Sequence, residues 1–147
     1  MNLFFDTSAL IKFFHEEEGS ENVTALILDR NNHVWIVELA RLEFKSAVFR
    51  RFRNKEITAE QLEQALTSFD KQLADFNLEP LGRAIVDEAD SLLQNYGKTH
   101  GLRTLDALHL GAFRLISEPQ DWFFVAADNN LCNVAKALGV ETINPLG

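Results

Sequence analysis

Residues 1–10, MNLFFDTSAL, contain an apolar run that ends abruptly on an aspartate. Residues 3–5 are typical of a short buried strand. The apolar residues between 9 and 14 have helical spacing. An acid at the carboxyl end of a buried strand lies where open α/β sheets usually bind ligands. Aspartate is also a preferred helix N-cap residue. Asp6 by itself therefore leaves a ligand site and a simple helix cap both open.

Working outward from this stretch, strand-like runs alternate with helical patterns. The further strand-like runs are VWIV (34–37), FNLEPL (76–81), WFFVAA (122–127) and VETIN (140–144). Helical patterns lie between them, over 20–29, 39–52, 58–76, 85–96, 104–116 and 130–139. Thr58 and Gln61 form a predicted capping box, Thr104 a predicted cap, and Gly97 and Gly139 predicted helix ends. This alternation predicts one α/β domain with a parallel sheet covered by helices on both faces, a three-layer arrangement.

The bulk composition sets the class of protein. With 147 residues, 46% of them hydrophobic, the chain is long and apolar enough to bury one core, so a single domain over 1–147 is expected. No apolar run approaches the length of a membrane span, and the N-terminus lacks the features of a signal peptide. The single cysteine, Cys132, excludes an internal disulfide and fits a reducing compartment. We therefore expect a cytoplasmic protein without membrane contact, with Cys132 in its core.

The charge distribution is uneven. A net charge of −8 argues against a protein that coats nucleic acid non-specifically. Six of the 14 lysines and arginines nevertheless fall between Arg41 and Lys55. Such a segment is typical either of a local phosphate-binding face or of a solvated helix face. Both interpretations stay open on charge alone.

Four acids occupy positions that suggest a cluster. Asp6 and Asp128 each follow a predicted strand, and parallel strands bring their carboxyl ends to one edge of a sheet. Glu43 has only uncharged residues three and four positions away, and Asp106 lies in the first turn of a predicted helix. Each acid alone is explained by a cap, a turn, an ion pair or the helix dipole. Gathered at one edge they would need protons or a cation, and all-oxygen ligands suit Mg²⁺ or Mn²⁺.

Four segments carry a family resemblance. They are FFDTSALIKFFHEEEGSE (4–21), ARLEFKSAVFRR (40–51), GLRTLDALHLGAF (101–113) and FVAADNNLCNVAKALGV (124–140). In that order they resemble the four motifs of the PIN domain, and most closely its small prokaryotic type, as in the toxins of VapBC toxin–antitoxin pairs. The resemblance covers essentially the whole chain. DTSAL and LDALHL are its most specific pieces.

The resemblance implies a function and a set of site residues. It implies an Mg²⁺- or Mn²⁺-dependent endoribonuclease with a parallel sheet, usually a homodimer, whose partners are RNA and a cognate antitoxin protein. Asp6, Glu43, Asp106 and Asp128 match the family's acidic quartet, and Ser8 matches the hydroxyl residue after the first acid. Ala126 stands where the family often has Thr or Ser, so one metal ion or two stays open.

The expected chemistry is metal-assisted hydrolysis of a phosphodiester. A divalent ion held by Asp6, Asp106 and Glu43 would lower the pKa of a bound water and polarise a phosphate oxygen. Two basic groups flank these acids as candidates for RNA phosphates: Arg50, Arg51 and Arg53, and Lys98, His100 and Arg103. The four histidines have no zinc spacing, so His109 is expected to pack behind the ligands rather than to bind metal. The alternative is a catalytically weak PIN-like module that acts by binding protein.

Overall fold

A parallel sheet of five strands forms the centre of the computed structural model, which describes all residues from Met1 to Gly147. The strands are β1 (Asn2–Phe5), β2 (His33–Val37), β3 (Asn77–Glu79), β4 (Trp122–Val125) and β5 (Thr142–Ile143), in the spatial order β3-β2-β1-β4-β5. The helices are α1 (Thr7–Leu10), α2 (Ser20–Leu28), α3 (Leu39–Arg53), α4 (Ala59–Gln72), α5 (Arg83–His100), α6 (Thr104–Ile116) and α7 (Asn129–Ala137). Every strand pair is parallel, which confirms the predicted sheet.

The alternation of side chains along β1 creates two cores, one on each face of the sheet. Leu3 and Phe5 pack with residues of α1 to α4, whereas Phe4 packs with residues of α5 to α7. All three side chains are completely buried, as a central strand between two helix layers requires. The three-layer α/β architecture predicted from the sequence is therefore confirmed.

Close packing within each helix layer positions the two helices, α3 and α6, that flank the carboxyl edge of the sheet. On one face, the rings of Phe44 and Phe69 stack with centroids 4.1 Å apart and fix α3 against α4. On the other, Gly111 lets α6 approach α5, because a Cβ at this position would lie 3.2 Å from the backbone nitrogen of Ala89. These contacts hold α3 and α6 on opposite faces of the sheet.

Several predicted element ends are wrong by a few residues. Helix α5 continues through Gly97 to His100, and Gly101 ends it with a left-handed φ of +61°. Glycine is tolerated inside a helix, whereas a left-handed helix end selects for it, so the second glycine is the stop. Thr104 does not cap α6, because Arg103 occupies the cap position and no side chain caps the helix. The capping box of Thr58 and Gln61 is present as predicted.

β1 and β2 each begin one residue before the predicted runs, whereas β3, β4 and β5 are shorter than the runs that predicted them. β4 ends at Val125, so Asp128 follows it by three residues, and β5 comprises only Thr142–Ile143.

None of the helices is both long and apolar enough to cross a membrane. Cys132 is buried in the core that contains α7, as expected.

Candidate metal centre and cleft

The carboxyl ends of β1 and β4 open into a cleft of about 610 Å³. The two strands are neighbours, with Phe5 opposite Val125, and the Asp6 amide donates to the Val125 carbonyl at 3.0 Å. The residues that follow both strands therefore share one edge of the sheet. The cleft is lined by all four predicted acids, by three groups that contact them and by four cations: Asp6, Glu43, Asp106 and Asp128; Thr7, Ser8 and His109; Lys12, Arg50, Arg51 and Arg103.

Asp6 is both a helix cap and a member of the acidic cluster. Its carboxylate accepts the Ala9 amide at 3.0 Å and so caps α1. The Ser8 hydroxyl lies 2.7 and 2.8 Å from the two carboxylate oxygens and accepts the Ala127 amide at 3.1 Å. Burial raises the pKa of Asp6 to about 6. His109, Ser8 and the Ala9 amide oppose the rise, and the charge of Asp106 adds to it.

Arg103 bridges the two remaining aspartates. Its guanidinium donates to Asp106 Oδ2 from Nε at 3.3 Å and from Nη2 at 3.2 Å, and the same Nη2 lies 3.5 Å from Asp128 Oδ2. Asp128 also caps α7 by accepting the Leu131 amide at 3.0 Å. Burial raises the pKa of Asp106. The charge of Asp128 adds to this rise, whereas Arg103 opposes it. The exposed guanidinium of Arg103 thus neutralises part of the negative charge of two carboxylates.

Glu43 is held by groups from two other helices. The Thr7 hydroxyl of α1 donates to Glu43 Oε1 at 2.8 Å, and Nε2 of the buried His109 on α6 contacts the same oxygen. Burial raises the pKa of Glu43, but the hydrogen bond and charge of His109, with the hydrogen bond of Thr7, outweigh it and lower the pKa overall. The carboxylate is therefore ionised and fixed at one wall of the cleft.

The chemistry of the donor set fits a hard divalent cation. All four acids offer oxygen atoms, and the raised pKa values of Asp6 and Asp106 mean that full ionisation is costly without a compensating charge. No three His, Cys, Asp or Glu side chains are already arranged around a single ion position. Asp106 and Asp128 instead pair with Arg103. A cation would thus be held by Asp6 and Asp106 in competition with this arginine.

The predicted phosphate-binding residues are divided by the fold. Arg50, Arg51 and Arg103 line the cleft. Arg53 is exposed and lines a separate surface pocket with Lys55. Lys98 and His100 are on α5 and do not line the cleft. Only part of each basic group therefore faces the acids.

Three cleft residues whose side chains hydrogen-bond or form ion pairs there were not predicted from the sequence: Thr7, Lys12 and Glu17. Lys12 is only 8% exposed, and its ammonium group pairs with Glu17. A signal existed, since Lys12 is the one charged residue within the apolar run 9–14. A lysine at such a position must find a buried partner.

Similarity to known proteins agrees with the geometry. The family model described as PIN domain matches residues 3–137, which is nearly the whole chain. The chain belongs to the PIN domain family. No curated protein sequence matches this PIN domain.

Solved structures share the fold of this PIN domain at low sequence identity. A Mycobacterium tuberculosis toxin, VapC20, described as cleaving the sarcin–ricin loop, is 15% identical with a TM-score of 0.72 over 97% of this chain and 99% of that one. VapBC2 from Rickettsia felis, bound to a promoter DNA fragment, is 14% identical with a TM-score of 0.65 over 98% of both chains. FitAcB from Neisseria gonorrhoeae is 15% identical with a TM-score of 0.63 over 97% of both. At these identities the likeness establishes the fold alone.

Proposed function

We propose that this PIN domain is a divalent-metal-dependent endoribonuclease and the toxin of a type II toxin–antitoxin pair. The observation that carries the proposal is the convergence of Asp6, Glu43, Asp106 and Asp128 in one cleft at the carboxyl edge of the sheet. Support for the toxin role comes from the proteins of similar fold, which include the toxin VapC20. The same proposal includes a cytoplasmic location, an antitoxin protein as partner and a homodimeric state.

The residues of the cleft divide the work of phosphodiester hydrolysis. A divalent cation such as Mg²⁺ or Mn²⁺ would supply the Lewis-acid chemistry of this site, which is polarisation of a phosphate oxygen and activation of water. Asp6 and Asp106 would hold the ion, with Ser8 orienting the Asp6 carboxylate. Glu43 stays ionised through Thr7 and His109 and is the group placed to orient or deprotonate a water.

Cations at the rim of the cleft would reduce the repulsion between its carboxylates and an anionic substrate. Arg50 and Arg103 are exposed and line the cleft, so both are placed to contact backbone phosphates. Such contacts position RNA without reading its sequence. The preferred RNA sequence would then depend on contacts to the bases.

The deciding experiment measures RNA cleavage and RNA binding separately. Asp6→Asn and Asp106→Asn should each abolish cleavage in Mg²⁺ or Mn²⁺. RNA binding in EDTA should be retained or improved, because removing a negative charge cannot weaken attraction to an anion. Asp70→Asn, at an exposed position on α4 outside the cleft, is the matched control and should cut normally.

The alternative function is a protein-binding module of weak catalytic activity. It would be favoured if the parent protein fails to cut RNA in either metal, or if both aspartate variants cut RNA as well as the parent. Antitoxin partnership is tested by co-purification with the product of the adjacent gene.

A further inference from the structure

A second charged cluster lies in the same cleft and takes no part in holding the acids. Glu17 Oε1 accepts from the Lys12 ammonium at 3.2 Å, and Glu17 Oε2 accepts from Arg51 Nη2 at 3.0 Å. The three side chains are largely buried, with exposed fractions of 9%, 25% and 19% for Lys12, Glu17 and Arg51. We call Lys12, Glu17 and Arg51 the charged triad.

The loop before α2 is built to place Glu17 between the two cations. The Glu17 amide donates to the Ser20 hydroxyl at 2.9 Å, and that hydroxyl donates to the His15 carbonyl at 3.2 Å. Gly19 adopts a left-handed φ of +89°, and a Cβ there would lie 3.2 Å from Lys12 Cδ. The loop therefore fixes both the carboxylate and the stem of the lysine.

The triad has more positive charge and more donors than its own acceptor can satisfy. Two cations share one carboxylate, which leaves one positive charge facing the cleft. Arg51 Nη1 is buried and has no hydrogen-bond partner. Buried donors are nearly always paired in proteins, so an unpaired guanidinium nitrogen calls for an explanation. An anion that displaced Glu17 would offer this nitrogen the acceptor that the triad itself lacks.

Helix α3 connects the triad to the acids along one face. Glu43, Ser46, Ala47, Arg50 and Arg51 all line the cleft, at the spacing of a single helical face. Eight residues separate Glu43 from Arg51, which is about 12 Å along the helix axis. The small side chains of Ser46 and Ala47 lie between them. An extended nucleic-acid backbone with one phosphate at the acids would thus bring a flanking phosphate to the triad.

We infer that Lys12 and Arg51 form a second phosphate-binding subsite, for a backbone phosphate that flanks the one at the acids. Glu17 is the resident counter-ion of this subsite and is displaced when RNA binds. The inference rests on the proposed ribonuclease function, because it takes RNA as the occupant. Such a subsite would explain how an acidic protein can hold an anionic RNA strand in a fixed position beside four carboxylates.

The first test measures binding of a labelled single-stranded RNA in EDTA at several salt concentrations. Lys12→Met and Arg51→Gln should each weaken binding about tenfold. Each should also reduce the slope of log affinity against log salt by about 0.7, the value for one lost phosphate contact on a single strand. Glu17→Gln should strengthen binding, because it removes the competing carboxylate. Lys71→Met, at an exposed position on α4, is the control and should bind as the parent does.

The second test locates the phosphate by changing the RNA one linkage at a time. RNAs that each carry one neutral methylphosphonate linkage are compared for binding to the parent and to Lys12→Met. One flanking position should weaken binding to the parent and leave binding to the variant unchanged, as expected for groups that interact. Sensitivity at every position in both proteins would overturn the subsite.

The outcomes separate the subsite from the nuclease. Parent-like RNA binding by Lys12→Met and Arg51→Gln, or weakened binding by Glu17→Gln, would show that the triad only supports the fold and would overturn the inference. Cleavage by the parent together with such results leaves the ribonuclease proposal standing. Weakened RNA binding by Lys12→Met and Arg51→Gln supports the subsite. If the parent also fails to cut RNA in either metal, that result overturns the ribonuclease proposal and leaves the subsite supported.

Discussion

The imidazole of His109 contacts the carboxylate of Glu43, although 66 positions separate the two residues in the chain. Thr7 donates to the same carboxylate oxygen, so α1, α3 and α6 meet at one atom. The acid on α3 is therefore held from two sides, by one hydroxyl and one buried ring. Its ionised state and its orientation depend on how these helices pack against the sheet.

Thr7→Val should reduce stability and raise the pKa of Glu43, because it removes a hydrogen bond to the charged carboxylate and retains the shape of the side chain. A lowered folded-state pKa adds stability above the unfolded pKa, and this stability is lost as the pH falls through the folded value. The variant should lose about 0.5–1.5 kcal/mol at pH 7 and less at low pH. Urea unfolding from pH 3 to 8 measures this. Thr67→Val on the exposed face of α4 is the control, and equal curves for Thr7→Val and the parent would contradict the prediction.

Asp6 should make the metal-free protein less stable as the pH rises from about 4 to 6. Its pKa is raised from 3.8 to about 6, so the folded state binds more protons than the unfolded state in this window. The free energy of unfolding then falls with rising pH. Asp6→Asn retains a good helix cap and removes this dependence, so in EDTA it should exceed the parent by about 1–3 kcal/mol at pH 7.5. A difference between the two unfolding curves that does not change from pH 4 to 7.5 would refute the assignment.

Mg²⁺ or Mn²⁺ should raise the melting temperature by binding the folded state. One site at a hundredfold excess over its Kd adds about 2.7 kcal/mol. The gain should be smaller at pH 5, where Asp6 is largely protonated and its proton competes with the ion for the carboxylate. Asp106→Asn should lose most of the gain, whereas Asp70→Asn should retain it. Thermal melts with titrated metal decide this, and a full gain in Asp106→Asn would place the ion elsewhere.

Alanine substitutions at the two glycines near the end of α5 should change the stability of the protein in opposite directions. Gly97 is inside the helix, and no atom lies within 4 Å of the position that a Cβ would take, so Gly97→Ala should stabilise by about 0.5–1 kcal/mol. Gly101 ends the helix at φ +61°, so Gly101→Ala should destabilise by about 1–2 kcal/mol. Thermal unfolding of the two variants compares the signs directly. Stabilisation by both would mean that the left-handed helix end is not maintained.

The alternation of apolar runs and helical patterns was enough to predict the sheet and its two helix layers. Leu3, Phe4 and Phe5 form a continuous apolar run because β1 is covered on both faces. The ends of elements were harder to predict. The pattern stops at Tyr96, yet α5 runs to His100, because the glycine that takes a left-handed conformation is Gly101 and apolar spacing does not distinguish it from Gly97.

The sequence by itself determined which acids follow which elements, since Asp6 and Asp128 come after apolar strands and parallel strands end at a common edge. It did not determine their partners. Arg103 pairs with Asp106 and Asp128, Arg51 pairs with Glu17, and Arg53 faces away from the cleft. These pairings join residues as far apart as Glu17 and Arg51, so they depend on the angles at which helices pack on the sheet. Local periodicity gives the direction of a side chain around its own helix, whereas only the tertiary structure decides what it meets there.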